Sequence, residues 1–242
     1  MNMTMWTGMK WVAVLAMAAM LTGCAGVEKA ATPFNGKDLT GWKFADDAAK
    51  SKWSVGTAQI SPADPKLLVV KPGGAEMVNT PAQFGESVDI YSEAKFGDCR
   101  IEVELMVSKE SNSGVYVMGE YEVQVLDSFG REKMGDGDMG AIYSAATPSI
   151  NACKKPGEWQ KYVIDFAAPK FDAAGNKTAN AKFLRVELNG KVLHENVEIK
   201  GPTPMGITGK EAATGPIMFQ GNHGPVAYRN IRITPACCTI AK

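Results

Sequence analysis

From Pro33 onward Gly and Pro punctuate the chain roughly every ten residues, and no long 3.6-residue apolar period survives between them. Such a chain cannot build long helices. It builds many short strands that pair antiparallel across tight turns, which predicts an all-β sandwich or barrel. Several strands read directly. Arg100 to Val107 alternates, with Ile101, Val103, Leu105 and Val107 against Arg100, Glu102 and Glu104, broken only by Met106. That pattern buries one sheet face and leaves the other wet or functional. Val115 to Leu126 reads as a hairpin, and Tyr162 to Phe166 as a strand. Leu184 to Leu193 reads as a hairpin around Asn189-Gly190, a strong two-residue turn signal. Ile217 to Gln220 and Val226 to Ile233 form two more strands, joined by Gly-Asn-His-Gly-Pro. Segments 167–181 and 200–214 read as long loops on one rim, where binding function tends to sit.

The stretch from Asn112 to Asp127 carries the most chemistry. Two hairpin registers are open. A two-residue turn at Gly119-Glu120 sets Val117 beside Glu122 and mixes core with carboxylate. A three-residue turn, Gly119 to Tyr121, pairs Val117 with Val123 and Val115 with Val125. Register follows the apolar pattern, so the second is expected. Tyr116, Met118, Glu122 and Gln124 then share the opposite face, with Glu122 and Gln124 roughly 7 Å apart. Carboxylate, amide and phenol on one sheet face suit a sugar site. A merely solvated outer face would look the same in sequence.

The chain has two histidines. His194 follows the Asn-Gly turn and reads as a surface residue. His223 lies in Gln220-Gly221-Asn222-His223-Gly224, where glycines let backbone approach a ligand and imidazole suits acid–base work near neutral pH.

The N-terminus predicts location. Lys10 precedes an apolar run from Trp11 to Leu21, too short to span a bilayer comfortably, and Leu21-Thr22-Gly23-Cys24 closes it. These four residues resemble a bacterial lipobox, in which the Cys is lipid-modified and becomes the first mature residue. The expectation is a signal peptide over 1–23, lipidation at Cys24, and a linker to residue 32. The domain then covers 33–236, followed by a tail over 237–242. Ala25 after the Cys favours the outer membrane, so the protein is expected to be exported and lipid-anchored in the cell envelope. The 26 basic and 26 acidic residues cancel, which gives nothing to steer nucleic acid. Cys99, Cys153, Cys237 and Cys238 follow Cys24. Export makes disulfides reasonable, but adjacent Cys237 and Cys238 cannot easily bond each other, and the pairing is open. No spacing resembles a zinc site, and no cofactor is expected.

Several segments occur together and in order: Phe34-Asn-Gly-Lys-Asp-Leu-Thr-Gly-Trp42, Asn112-Ser-Gly-Val115, Tyr121-Glu-Val-Gln-Val125 with Asp127, and Gly157-Glu-Trp159. Val186-Glu-Leu-Asn-Gly190, Gly215-Pro-Ile217, Gln220 with His223-Gly224, and Tyr228-Arg-Asn-Ile231 follow. The set resembles the 3-keto-disaccharide hydrolase domain family. The resemblance implies a concanavalin A-like jelly roll of two antiparallel sheets, one concave and lined for carbohydrate. It also implies cleavage of glycosides already oxidised at C3. There a base removes the C2 proton, donors hold the enolate oxygen, and an acid serves the leaving oxygen. His223 or Glu122 is expected as base, with the other as acid. Gln124, Asn112, Tyr116, Gln220 and Arg229 are candidate substrate donors, and Asp127 would orient one of them or bind a hydroxyl. Glu122 and Asp127 do not offer a conventional glycosidase pair, because Asp127 lies past the strand end. The insert Lys170 to Asn180, which lengthens a hairpin, and the loosely matched segment Gly201 to Thr214 depart from the family pattern.

Two other readings compete. One is a non-catalytic carbohydrate-binding module on the same fold. Trp42, Trp53 and Trp159, at strand starts, are expected to be buried rather than to serve as sugar platforms. The other has Glu122, Asp127 and His223 holding a divalent metal.

Overall fold

The computed structural model describes residues 30–236. The expected lipidation at Cys24, the signal segment and Cys237 and Cys238 lie outside those residues. Fourteen strands are described. They are β1 (Trp42–Phe44), β2 (Trp53–Ile60), β3 (Leu68–Asn79), β4 (Ile90–Phe96), β5 (Cys99–Val107), β6 (Asn112–Val117) and β7 (Tyr121–Leu126). Then follow β8 (Gln160–Ala167), β9 (Lys170–Phe171), β10 (Lys177–Ala179), β11 (Ala181–Leu188), β12 (Lys191–Ile199), β13 (Gly215–Phe219) and β14 (Val226–Pro235). Two antiparallel sheets form a jelly-roll sandwich, as the sequence predicts. One has the order β1-β4-β13-β6-β7, and the other β12-β11-β8-β5-β14-β3-β2.

Alternation explains the packing. On β5, Ile101, Val103, Leu105 and Val107 enter the core, while Arg100, Glu102 and Glu104 face out. On β6 and β7, Val115, Val117, Val123 and Val125 do the same from the other sheet. An aromatic column crosses the sandwich. Phe219 of β13 stacks on Tyr228 of β14 at 3.9 Å between centroids, with Trp42 behind Phe219 at 5.3 Å and Trp53 behind Tyr228 at 6.3 Å. Trp42 and Trp53 are buried as expected, and their indole N–H groups donate to Pro33 O and Val88 O. Trp159 is part-buried on the outside of the seven-stranded sheet, under the Arg229 guanidinium.

Three expectations need correction: the hairpin register, the place of Met118 and the surface position of His194. The central hairpin turns at Met118-Gly119-Glu120, so Val117 pairs with Tyr121, Val115 with Val123 and Tyr116 with Glu122. This differs from the expected register by an even number of residues, so the face assignment of Tyr116, Glu122 and Gln124 stands. Met118 instead adopts φ 55° in the turn and packs on the core. His194 is buried on β12, where its Nε2 lies 2.9 Å from Gly140 O. The turn puts its side chain against segment 138–146, not toward solvent. The rim segment 167–181 holds the small hairpin β9–β10, tied to the 200–214 loop by Lys177 on Glu211 at 2.6 Å. Ala31 forms an isolated antiparallel bridge to Ile233 of β14. Cys99 and Cys153 are not bonded to each other.

The aromatic column predicts a stability test. Tyr228→Ala should lose about 3–5 kcal/mol in urea unfolding, in line with large-to-small core changes. Tyr228→Phe keeps the stack and loses only the phenol's hydrogen bond to Ser113, for about 1 kcal/mol. Equal losses for the two variants would contradict a packing role for the column.

Candidate active site

The outer face of the five-stranded sheet carries polar groups in rows set by strand register. One row runs Tyr91, Met218, Tyr116, Glu122 across β4, β13, β6 and β7. The next continues with Gln220, Gly114 and Gln124, since Gln220 N donates to Gly114 O and Gly114 pairs with Gln124. Asp89 precedes β4 beside Gln220. This face is not a solvated one. Glu122 is 2% exposed, and Tyr116, Gln124 and Gln220 are buried as well. Two segments cover the β7 edge. Segment 138–146 takes its backbone bonds, with Tyr143 N donating to Glu122 O and Gly140 N to Gln124 O. The 200–208 loop closes the other side, where Glu122 N donates to Thr203 Oγ1 and Thr203 Oγ1 to Glu120 O.

Glycine at 114 makes room for the carboxyl. A Cβ there would run into Glu122 Oε1 and come within 2.9 Å of Tyr116 Cε2. Its backbone is ordinary, so the requirement is space rather than φ. Tyr116 OH donates to Glu122 Oε2 at 2.8 Å, and Gln220 Nε2 approaches the phenol oxygen at 3.3 Å. Burial pushes the Glu122 carboxyl up to about 8, the Tyr116 bond opposes this, and the nearby Asp89 carboxylate adds to it. At neutral pH Glu122 therefore carries its proton.

His223 stands at the more open end. Its Nδ1 meets Asn222 Oδ1, and its ring packs edge-on to Phe84, with centroids 4.7 Å apart. Phe84 is 71% exposed, so an exposed aromatic ring stands beside the imidazole. Burial lowers the His223 pKa below its ordinary 6.5, and Asp89 partly opposes that. The imidazole is thus neutral at pH 7 and able to accept a proton.

The His223 loop is clamped from beneath. Asp89 Oδ1 accepts from Gly221 N at 2.8 Å and from Asn222 N at 3.3 Å. Asn79 Nδ2 donates to Gly221 O and Gly224 O, and Ser87 Oγ holds Asn79 Oδ1. A Cβ at Gly221 would meet Val88 O and Trp53 Nε1, and one at Gly224 would meet Ser111 Oγ. Both glycines are thus close-approach positions. Asn112 lies alongside the loop, and its buried Oδ1 has no hydrogen-bond partner among the described residues.

Glu122, Gln124, Tyr116 and Gln220 share this face, and the His223 loop, with Asn112 against Gly224, follows Gln220 at its end. The structure does not bring Arg229 or Asp127 there. Tyr228 points into the core, so its neighbour Arg229 points out of the opposite sheet, where Nε reaches Glu104 at 2.8 Å. Asp127 closes a turn, with its carboxylate accepting from Glu110 N and Phe129 N. Asp127 therefore does not join Glu122 and His223. Among the described residues no group of three His, Cys, Asp or Glu is placed to hold a metal ion. Asp89, Asn79 and Tyr91 were missed from sequence. Only the Val88-Asp89-Ile90-Tyr91 alternation hinted at Asp89 and Tyr91, and nothing marked Asn79.

A profile of the 3-keto-α-glucoside-1,2-lyase-like domain family matches residues 29–234. The chain belongs to this family. It is 31% identical over 116 residues to a 3-keto-disaccharide hydrolase of Bacteroides thetaiotaomicron, covering 48% of this chain and 34% of the relative. The match thus spans about a third of that relative's length. A candidate glycosyl hydrolase of Parabacteroides distasonis superposes with TM-score 0.66 at 29% identity, over 86% of this chain and 84% of that one. A second from the same organism gives 0.57 at 19% identity, over 86% and 94%, a likeness of fold alone.

The crowding at Gly114 predicts a defect at the family site. Gly114→Ala should displace the Glu122 carboxyl, lowering stability in thermal unfolding by about 1–3 kcal/mol. It should also cut turnover of any substrate processed at this face. Unchanged stability and turnover would mean the Glu122 position is not sterically set.

Proposed function

We propose that this protein cleaves 3-keto-glycosides by elimination across C1–C2 followed by hydration, with His223 as base and Glu122 as acid. The observation that carries the reading is a buried Glu122, its carboxyl pushed up to about 8, and a half-buried His223, held below 6.5, that both lie within reach of the Asp89 charge. The family description names a 1,2-lyase, and the Bacteroides relative is named a hydrolase. An elimination completed by water addition unites the two.

In the first step His223 takes the C2 proton, which the adjacent ketone acidifies. The C–H electron pair moves toward C3 and leaves negative charge on the C3 oxygen. Gln220 and Gln124 supply the side-chain amide donors on this face to hold that charge, while the Tyr116 hydroxyl is committed to Glu122. The enolate then expels the C1 substituent, whose oxygen receives the Glu122 proton. In the second step water adds across the double bond. Its oxygen joins C1, Glu122 recovers a proton from it, and protonated His223 returns one to C2. Both side chains end as they began, and the net change is hydrolysis. The unpaired Asn112 Oδ1 offers an acceptor for a sugar hydroxyl. Asp89 acts as a positioning residue, through the 221–222 backbone. The proposal also has the domain tethered outside the cytoplasm by a lipid on Cys24, supported by the Leu21-Thr22-Gly23-Cys24 sequence.

The alternative is a non-catalytic carbohydrate-binding module, and exposed Phe84 beside His223 is the observation in its favour. Incubation with 3-keto-trehalose, 3-keto-sucrose and an unoxidised disaccharide separates the two. The proposal expects 3-keto-glucose from the oxidised sugars alone, loss of turnover by a factor of about 10² or more in His223→Ala or Glu122→Gln, and deuterium from solvent at C2. Binding without turnover on every keto-sugar would favour the module. The kcat/KM profile should fall on the acid side as His223 gains a proton below 6.5, and on the alkaline side as Glu122 loses its own near 8. Asp89 raises both groups, so Asp89→Asn should move both limbs to lower pH. Limbs that stay fixed in this variant would separate Asp89 from the reaction.

A further inference from the structure

Past the row of Tyr91, Met218, Tyr116 and Glu122, the same sheet face runs into a cavity of about 240 Å³. Tyr91 and Pro216 line it from the sheet, Met118 from the hairpin turn, and Ile207 and Thr208 from the rim loop. Its wall is built, not incidental. The buried Glu120 carboxylate straps the loop to the turn, accepting from Thr208 N and Oγ1 on one oxygen and from Gly209 N on the other. Gly206 packs against that carboxylate, and a Cβ there would collide with it.

Positive charge is in excess at the cavity. Lys95 and Lys210 both line it and both remain exposed. Nearby Lys177 is paired with Glu211, and Lys170 with Asp98, whereas Lys95 and Lys210 make no ion pair among the described residues. Glu120 sets one negative charge against these two, and its oxygens are turned to three loop donors.

We propose that this cavity is the leaving-group subsite, and that it favours a sugar-sized group bearing a carboxylate or a phosphate. The inference rests on the keto-glycoside reading of the adjacent face and names its substrate class. Along the strands, the His223 loop and Gln220 lie at one end, the Glu122 row in the middle and the cavity at the other end. Rows two residues apart are separated by roughly 7 Å, on the scale of one sugar ring. A ketosugar at His223 and Gln220 then sets its glycosidic oxygen at Glu122 and its leaving group toward Met118 and Ile207 at the hairpin end of the cavity. There the apolar wall meets the sugar's C–H groups, and the two ammonium groups attract an anion.

The test compares kcat/KM for 3-keto-glucosides whose leaving group is glucose, glucuronate or glucose 6-phosphate. Wild type should prefer an anionic leaving group about five- to tenfold at low salt, less at high salt, and the two acids show which anion fits. In Lys95→Gln/Lys210→Gln the ratio of anionic to neutral substrate should fall to near one. A wild-type ratio of one or less for both anions, or a preference that survives the double substitution, overturns the proposal. If no keto-sugar is turned over, the functional reading has failed, and the cavity is judged by calorimetry with glucuronate and glucose 6-phosphate. Binding abolished by the double substitution upholds the anion subsite. Absent or unaltered binding overturns it.

Discussion

The stack of Phe219 on Tyr228 is the contact on which the rest depends. It joins the two sheets at one point, and Trp42 and Trp53 extend it outward on either side. Phe219 is the last residue of β13, and Gln220 and the His223 loop follow at once. The Tyr228 hydroxyl sits 2.8 Å from Ser113 Oγ, which donates to Gln220 O at 2.6 Å. The inter-sheet packing thus carries upward, through one hydroxyl pair, into the backbone of the site. Trp53 takes part twice, in the column and as donor to Val88 O beneath the loop. An apolar core and a polar face are in this way a single piece of construction.

What makes the face chemical is that it is polar yet covered. A carboxylate on an open sheet face would titrate near its ordinary value. Here segment 138–146 and the 200–208 loop remove Glu122 from water, and Asp89 adds a like charge. The same surroundings act oppositely on imidazole, because burial disfavours its charged form. One environment therefore leaves an acid protonated and a base neutral at the same pH, the pairing acid–base catalysis needs.

Alternation made much of this legible. The β5 pattern, the Asn189-Gly190 turn and the Tyr116, Glu122, Gln124 face all follow from period two, and an even register error leaves period two untouched. What escaped was what period two does not encode. Arg229 alternates correctly but belongs to the other sheet, and only strand order decides that. His194 follows a turn, yet segment 138–146 folds over it. Asp89 and Asn79 lie more than 130 residues from the loop they hold. Contacts at that separation leave no local trace.

The account stands on Glu122 holding its proton at neutral pH. The direct measurement is a carbon-13 NMR titration of its side-chain carboxyl, assigned by comparison with Glu122→Gln. The account predicts a midpoint near 8. A midpoint near the ordinary 4.5 would leave Glu122 ionised at pH 7 and contradict its role as acid.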